Sequence, residues 1–203
     1  MNQVKKIAFL AMIAGVVLLS YGLVQVIYTE QAQQSSLAEA HSLLNGGKTA
    51  NPKENGRTQK QGTDDVENYL PEQGETVGIL TIPKIDAELP IVEGTDPDDL
   101  EKGVGHYKGT AYPTENDQIV LSGHRDTVFR RMGEVEIGDI FIVKLPYGEF
   151  RYQMKSARVV DADDRTVIKP TAPQEVLTLT TCYPFSYLGN APQRYIITAI
   201  PVK

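Results

Sequence analysis

The chain contains very little cysteine and no tryptophan. Cys182 is the only cysteine among 203 residues, so it has no second thiol with which to form an intramolecular disulfide. An unpaired thiol in an oxidising compartment is a liability unless it is buried or used in chemistry. Taken alone, Cys182 therefore leaves two interpretations, an inert packed side chain or a reactive one.

A surplus of positive charge is also missing. The chain has 20 Lys and Arg residues against 26 Asp and Glu residues, a formal net charge of −6 at pH 7. Binding to nucleic acid depends on clustered cations that neutralise phosphates, and the sequence shows no basic stripe. Nucleic acid is therefore excluded as a partner.

Sequence motifs for metal binding are weak. Two acidic clusters contain the residues Asp96, Asp98, Asp99 and Glu101, and Asp161, Asp163 and Asp164. Oxygen ligands of this kind suit calcium, but neither cluster has the spacing or the glycine of an EF-hand. We therefore predict no cofactor, and a calcium site is the alternative that these clusters leave open.

A long uncharged run begins near the N-terminus. Residues 7–27 contain no charged side chain, and a helix of this length, at about 1.5 Å of rise per residue, spans the roughly 30 Å core of a bilayer. Lys5 and Lys6 precede the run and Glu30 is the next charge, so the positive-inside rule places residues 1–6 in the cytoplasm. A cleaved signal peptide is the alternative, although the run exceeds the ~7–15 apolar residues of such a segment.

Residues 28–70 are polar and hold few large apolar side chains. A segment of this composition cannot bury enough surface to offset the entropy of ordering it. We predict a flexible extracellular stalk that holds the following domain away from the membrane. Within it, residues 36–44 favour a short helix, because Ser36 and Glu39 have capping-box spacing.

The pattern changes at residue 71 to short alternating apolar runs separated by turn residues. These runs are residues 77–82, 88–92, 118–122, 140–145, 150–154, 157–160, 176–181 and 194–202. Eight such runs predict an all-β domain over 71–203, either a closed barrel or a sandwich. Two short helices are also predicted, one from Asp96 or Asp98 to about Lys102 and one over 127–132.

Cys182 stands where one predicted strand ends, which is a rigid place for a nucleophile. Arg194 begins the next run, so pairing of the two runs as a hairpin would make Cys182 and Arg194 neighbours. Two histidines are candidate bases for the thiol. His124 follows a predicted strand and His106 lies in a glycine-flanked loop, and a structural role is the alternative for each.

Several motifs occur in an order that resembles the sortase family, the membrane-bound cysteine transpeptidases of Gram-positive bacteria. They are Gly105-His106-Tyr107 with Gly109-Thr110-Ala111, Ser122-Gly123-His124-Arg125, Gly138-Asp139, and Leu179-Thr180-Thr181-Cys182 with Arg194. The set extends over about residues 78–202. The resemblance implies a closed eight-stranded sortase-type β-barrel with short helices, preceded by the transmembrane helix.

The resemblance also assigns roles. It implies that Cys182 is the nucleophile, that His124 is the general acid and base, and that Arg194 stabilises the oxyanion and the substrate. It leaves His106 outside the catalytic set. The loop between Cys182 and Arg194 is most similar to that of class D sortases, and residues 29–75 lack the Asp-Pro-aromatic lid of pilin-assembling sortases.

The chemistry agrees with these roles. A free thiol with a pKa of about 8.5 is largely protonated at neutral pH, so a nearby imidazolium or guanidinium must favour the thiolate. His124 can then donate a proton to the leaving amine, whereas Arg194 stays cationic and can only bind. The sequence indicates no third residue that orients His124.

The substrate follows from the resemblance alone. It implies that a surface protein with a C-terminal sorting signal of the Leu-Pro-X-Thr type is cleaved after Thr and forms a thioester on Cys182. An amine of the cell-wall peptide precursor then takes the acyl group. Two other functions remain open, a hydrolytic cysteine peptidase with the same dyad and a catalytically silent, membrane-tethered barrel that only binds.

Overall fold

The protein consists of one long helix and one closed β-barrel. The computed structural model describes residues 2–46, 69–187 and 189–202. Within these ranges the helix is α1 (Asn2–Gly46) and the eight strands are β1 (Thr76–Ile82), β2 (Ala87–Glu93), β3 (Val104–His106), β4 (Gln118–Gly123), β5 (Ile140–Leu145), β6 (Gly148–Asp161), β7 (Val176–Tyr183) and β8 (Gln193–Pro201). The order around the barrel is β1-β2-β3-β4-β7-β8-β6-β5. The predicted eight-stranded closed barrel is confirmed.

The alternation of side chains along each strand produces the core. In β5, Phe141, Val143 and Leu145 are buried while the residues between them are partly exposed, as expected when successive side chains point to opposite faces. In β7, Leu177 and Leu179 point inwards in the same way. The apolar faces of the strands thus fill the barrel interior.

Two pairs of neighbouring strands are parallel, β2 with β3 and β4 with β7. Parallel pairing brings the carboxyl ends of β4 and β7 to the same end of the barrel. β8 is antiparallel to β7, so its first residues lie at that end as well. The loops that follow β4 and β7 and the start of β8 therefore meet in one place.

Two of the eight predicted strands are parts of a single strand. Runs 150–154 and 157–160 form one continuous strand, β6, with a register shift between Met154 and Ser156. A bulge of this kind inserts an extra residue without ending the ladder. Conversely, β3 was predicted as a loop, but it pairs with β2 along three residues and with β4 along two.

The first of the two predicted short helices is confirmed. It is α2 (Pro97–Lys102), where Asp96 and Asp99 form a capping box. The second prediction, over 127–132, is wrong, because this segment forms tighter turns in which the amide of Arg130 donates to the carbonyl of Thr127 at 3.2 Å. Short 3₁₀ helices occur at Pro83–Ile85 and Met132–Glu134.

The first half of α1 has an apolar surface that nothing in the described chain covers. Its large apolar side chains from Ile7 to Tyr28 are exposed. The helix is long and apolar enough to cross a membrane. This agrees with a single-pass membrane anchor.

The second half of α1 packs against the barrel, which corrects the prediction of a flexible stalk over residues 28–46. Ser36 and Ala40 are buried, and the Thr76 hydroxyl donates to the Glu39 carboxylate at 2.7 Å. The small side chains of Ser36 and Ala40 allow the helix to approach the barrel closely. The sequence here lacks the wide apolar stripe from which a packed helix is usually predicted. Residues 47–68 of the predicted stalk lie outside the described residues.

The chain joins the barrel before β1. The hydroxyl of Tyr69 donates to the carbonyl of Val77 at 2.9 Å. Its ring makes edge-to-face contacts with Tyr112 and Tyr147, both with centroids 5.2 Å away. The predicted barrel domain begins at residue 71, whereas the segment that leads into β1 already contacts the barrel two residues earlier, at Tyr69.

Candidate active site

Cys182 and Arg194 face each other across two neighbouring strands. They are direct partners in the antiparallel ladder of β7 and β8. The Cα atoms of directly opposed residues are about 4.5–5.5 Å apart. The predicted hairpin neighbours are thus confirmed as neighbours.

His124 is brought to the same place by the parallel pairing of β4 and β7. Gly123 is the partner of Thr181 in that ladder, so the next residues along the two strands are His124 and Cys182. The hydroxyl of Thr181 is buried and donates to the carbonyl of Gly123 at 2.7 Å. The three residues predicted from sequence therefore meet at one end of the barrel.

The turn after β4 holds the backbone of His124. Its carbonyl accepts the amide of Phe129 at 2.9 Å, and the Phe129 ring is fully buried. A Cβ atom on Gly123 would lie 2.6 Å from that ring, so only glycine fits here. In the described part of the chain, no carboxylate or amide side chain forms a hydrogen bond with the His124 imidazole.

Arg194 bonds to the loop that precedes it. Its Nη1 donates to the carbonyls of Ala191 at 3.2 Å and Gln193 at 2.9 Å. Both bonds come from one nitrogen, so Nε and Nη2 can donate to a bound peptide. The guanidinium is thereby held in place and keeps donors for a ligand.

A groove of about 430 Å³ extends along the outer face of β4, β7 and β8 from Arg194. It is lined by Tyr107, Val120, Ser122, Ala162, Asp164, Arg165, Val167, Ile168, Thr178, Thr180, Arg194 and Ile196. Because side chains alternate along a strand, Cys182 shares the face of Thr178 and Thr180. The thiol therefore lies on the groove side of β7.

His106, the rival base, has a different environment. It is fully buried in β3, where Nδ1 is 2.6 Å from a carboxylate oxygen of Glu93 and Nε2 is 3.1 Å from the carbonyl of Ala111. Its ring also stacks on Tyr112 at 4.1 Å. Since β4 lies between β3 and β7, roughly 10 Å of sheet separates its strand from that of Cys182.

The partners of Glu93 form a buried polar cluster with His106. Burial raises the pKa of Glu93, but hydrogen bonds from His106 and from the Tyr112 hydroxyl, at 2.6 Å each, outweigh it and lower the pKa below its ordinary value. The same burial and bond raise the pKa of Tyr112. The cluster ties β2, β3 and the following loop together, which is a structural role.

Arg125 makes contacts beside the candidate site that the sequence did not predict. Its Nη2 donates to the carbonyls of Tyr187 at 2.6 Å and Gly189 at 2.7 Å, and its guanidinium lies 5.9 Å from the centre of the Tyr187 ring. These contacts connect the residue after His124 to the loop between Cys182 and Arg194. The signal in the sequence was its place at the end of the Ser122-Gly123-His124-Arg125 motif.

Comparisons with known proteins agree with this arrangement. The sortase domain family matches residues 80–202. Sortase D of Bacillus subtilis (strain 168) is 53% identical over 196 residues, which cover 95% of this chain and 96% of that protein. A Sortase D5 transpeptidase of Clostridium perfringens shares the fold, with a TM-score of 0.68, 23% identity, and coverage of 85% of this chain and 99% of that one.

A further solved structure is that of Clostridium perfringens sortase C with the C-terminal cell wall sorting motif. It is 27% identical, with a TM-score of 0.61, and the match covers 85% of this chain and 89% of that one. Together these matches define a cysteine transpeptidase. The chain belongs to the sortase family. Its identity to Sortase D along nearly the whole sequence supports the class D assignment that the loop after Cys182 predicted.

Proposed function

We propose that Cys182, His124 and Arg194 carry out the transpeptidation, and that the substrate is a surface protein with a sorting signal of the Leu-Pro-X-Thr type. The observation that carries this proposal is the meeting of three strand ends. Cys182 is opposite Arg194, and the residues before His124 and Cys182 are paired and joined by a buried hydrogen bond.

The first half of the reaction forms an acyl-enzyme. The sulfur of Cys182 attacks the carbonyl carbon of the Thr residue, and the new bond is C–S. Arg194 donates hydrogen bonds to the oxygen on which negative charge develops. When the C–N bond breaks, protonated His124 gives its proton to the leaving amine, and the thioester remains on Cys182.

The second half transfers the acyl group. An amine of the cell-wall peptide precursor loses a proton to neutral His124 and attacks the thioester carbon. The new C–N bond forms, the C–S bond breaks, and the thiolate of Cys182 is restored. Every step uses groups of this chain, its substrate and its acceptor, and the proposal includes no cofactor.

The groove beside Arg194 supports the substrate assignment. It is open along β4, β7 and β8 and has both apolar and polar residues, among them Val120, Ile196 and Thr180. The Leu-Pro-X-Thr residues precede the scissile bond, so they would occupy a groove that extends from Arg194 on the same face of β7 as Cys182. The sortase C relative was solved with a C-terminal cell wall sorting motif.

Localisation follows from α1 and its flanking charges. We infer that the N-terminus is cytoplasmic and that the barrel is extracellular, because Lys5 and Lys6 precede the apolar span and Glu30 follows it. In this orientation the barrel encounters surface proteins and the cell-wall precursor on the outer face of the membrane.

A labelled peptide assay tests the proposal. The full chain in detergent is incubated with Leu-Pro-X-Thr peptides that vary at X and after Thr, with and without an amine acceptor, and mass spectrometry follows the products. We expect a thioester adduct on Cys182 and a ligated product that depends on the amine. Cys182→Ala is the control, and equal hydrolysis with and without the amine would contradict the transfer step.

A further inference from the structure

A crevice separates α1 from the turn that follows His124. It has a volume of about 500 Å³ and is lined by Gln25, Val26, Thr29, Glu30 and Gln33 of α1 and by Asp126, Thr127 and Arg130 of the turn. The residues directly after the candidate base therefore lie beside α1. None of them takes part in the steps proposed above.

The part of α1 that lines this crevice is the end of the apolar span. The exposed apolar side chains continue to Ile27 and Tyr28, and Glu30 is the first charged residue after them. A bilayer that covers the apolar surface would end at this level, because a charge is costly inside the hydrocarbon core. The His124 end of the barrel is thus at the same height as the membrane–water boundary.

The barrel is fixed at this height by its contacts with α1. Ser36 and Ala40 are buried, and Thr76 bonds to Glu39 at 2.7 Å. Ser36 follows Ile27 by only about 13 Å of helix, at a rise of about 1.5 Å per residue. The helix is continuous from Asn2 to Gly46, so no break between the span and the docked half would let the barrel move away.

We propose that α1 is a rigid spacer that holds the His124 end of the barrel against a lipid surface. The enzyme would then act on peptides whose scissile bond is held close to that surface, and discriminate against those held far from it. This inference rests on the proposed function. It adds a distance requirement to the recognition of the peptide itself, which a flexible stalk would not impose.

An insertion that lengthens α1 tests the proposal. A seven-residue helical insert of Ala, Glu and Lys after Thr29 adds nearly two whole turns and about 10 Å, so it lifts the barrel with little rotation. Full-length wild type and the lifted variant are reconstituted in phosphatidylcholine vesicles. The vesicles also display a sorting peptide on a transmembrane anchor, with spacers of increasing length between the scissile bond and the bilayer.

We expect wild type to cleave the short-spacer peptides fastest. The spacer that gives the highest rate should be longer by about three residues in the lifted variant, since an extended residue covers about 3.3 Å. A seven-residue Gly/Ser insert at the same place is the matched control. It should broaden the range of accepted spacers instead of shifting its optimum.

Assays with a soluble sorting peptide distinguish failure of the spacer proposal from failure of the proposed function. All three proteins should cleave it at similar rates, which shows that the barrel and the site are intact. Cleavage of the soluble peptide together with identical spacer profiles for wild type and the lifted variant would overturn the spacer proposal. No cleavage of the soluble peptide by wild type would instead overturn the proposed function on which it rests.

Discussion

The hydroxyl of Thr181 donates to the carbonyl of Gly123 at 2.7 Å in a buried position between β7 and β4. The residues that follow these two are Cys182 and His124. This one bond therefore links the strand ends that carry the proposed nucleophile and the proposed acid and base.

We expect Thr181→Val to weaken this link. Valine keeps the volume but leaves the buried carbonyl of Gly123 without its hydroxyl donor, which costs about 1–3 kcal/mol of stability. Peptide cleavage should fall as His124 and Cys182 lose their fixed spacing. Thr181→Ser keeps the hydroxyl donor and should retain most activity. Thermal unfolding and peptide-cleavage kinetics are measured for both variants. Equal losses in Thr181→Val and Thr181→Ser would show that the hydrogen bond does not hold the two strand ends together.

Cys182→Ala and His124→Ala should each abolish turnover. Cys182 and His124 are not part of the barrel core, so the unfolding temperature of each variant should stay near that of wild type. The measurements are peptide cleavage and thermal unfolding of the full chain. An active His124→Ala variant would remove this residue from the mechanism.

Loss of Arg194 should appear mainly in kcat. A donor that strengthens its bond as charge develops stabilises the transition state more than the bound substrate. Arg194→Ala should lower kcat by roughly 10²–10³-fold. Arg194→Lys keeps the charge but not the planar set of donors, so it should recover only a small part. A kcat within a fewfold of wild type in both variants would show that Arg194 only braces its loop.

Arg125→Leu should loosen the loop between Cys182 and Arg194. It removes the bonds to Tyr187 and Gly189, and charged hydrogen bonds contribute about 1.5–3 kcal/mol each. We expect faster amide hydrogen exchange in residues 185–190 and a kcat/KM lowered by about tenfold or more. Arg130→Leu, in the same turn, is the matched control. Unchanged exchange in the loop of Arg125→Leu would contradict the role of a clamp.

The buried cluster of Glu93 predicts how stability depends on pH. Its pKa is lower in the folded barrel because hydrogen bonds from His106 and Tyr112 outweigh burial. The folded state then binds this proton less readily than the unfolded state, whose pKa is about 4.3. The contribution of Glu93 is therefore complete above that pH and is lost as the pH falls through the lower folded value.

Calorimetry of wild type and Glu93→Gln checks this dependence. The difference in unfolding temperature between them should be large at pH 7 and should shrink below about pH 4. His106→Ala should also lower stability, by about 1.5–3 kcal/mol, because it removes one of the two hydrogen bonds that the buried Glu93 carboxylate accepts. The folded fraction of His106→Ala should still cleave peptide, and an inactive folded variant would reinstate His106 as a candidate base.

The sequence was sufficient for most of the barrel and for the choice of the candidate site residues. Alternation of apolar residues predicted six of the strands, since a strand with one face in a core must repeat every two residues. The rule that a hairpin joins the end of one strand to the start of the next predicted that Cys182 and Arg194 are neighbours. Motif resemblance selected His124 over His106, and the burial of His106 agrees with that choice.

Other features depended on contacts between distant segments. Three residues are too few for a pattern, so β3 exists because β2 and β4 flank it, and β6 continues through a bulge because β8 supplies partners beyond it. The contacts of Arg125 depend on two loop carbonyls that only the fold places beside it.

The second half of α1 shows most clearly which features the sequence determined and which the tertiary structure determined. Its polar composition correctly excluded a segment with a core of its own, since it has few large apolar side chains to bury. Whether it would be flexible was decided by the barrel, which provides a surface for Ser36 and Ala40 and a hydroxyl for Glu39. The sequence determines which side chains a helix can offer, but only the tertiary structure determines whether a complementary surface lies opposite them.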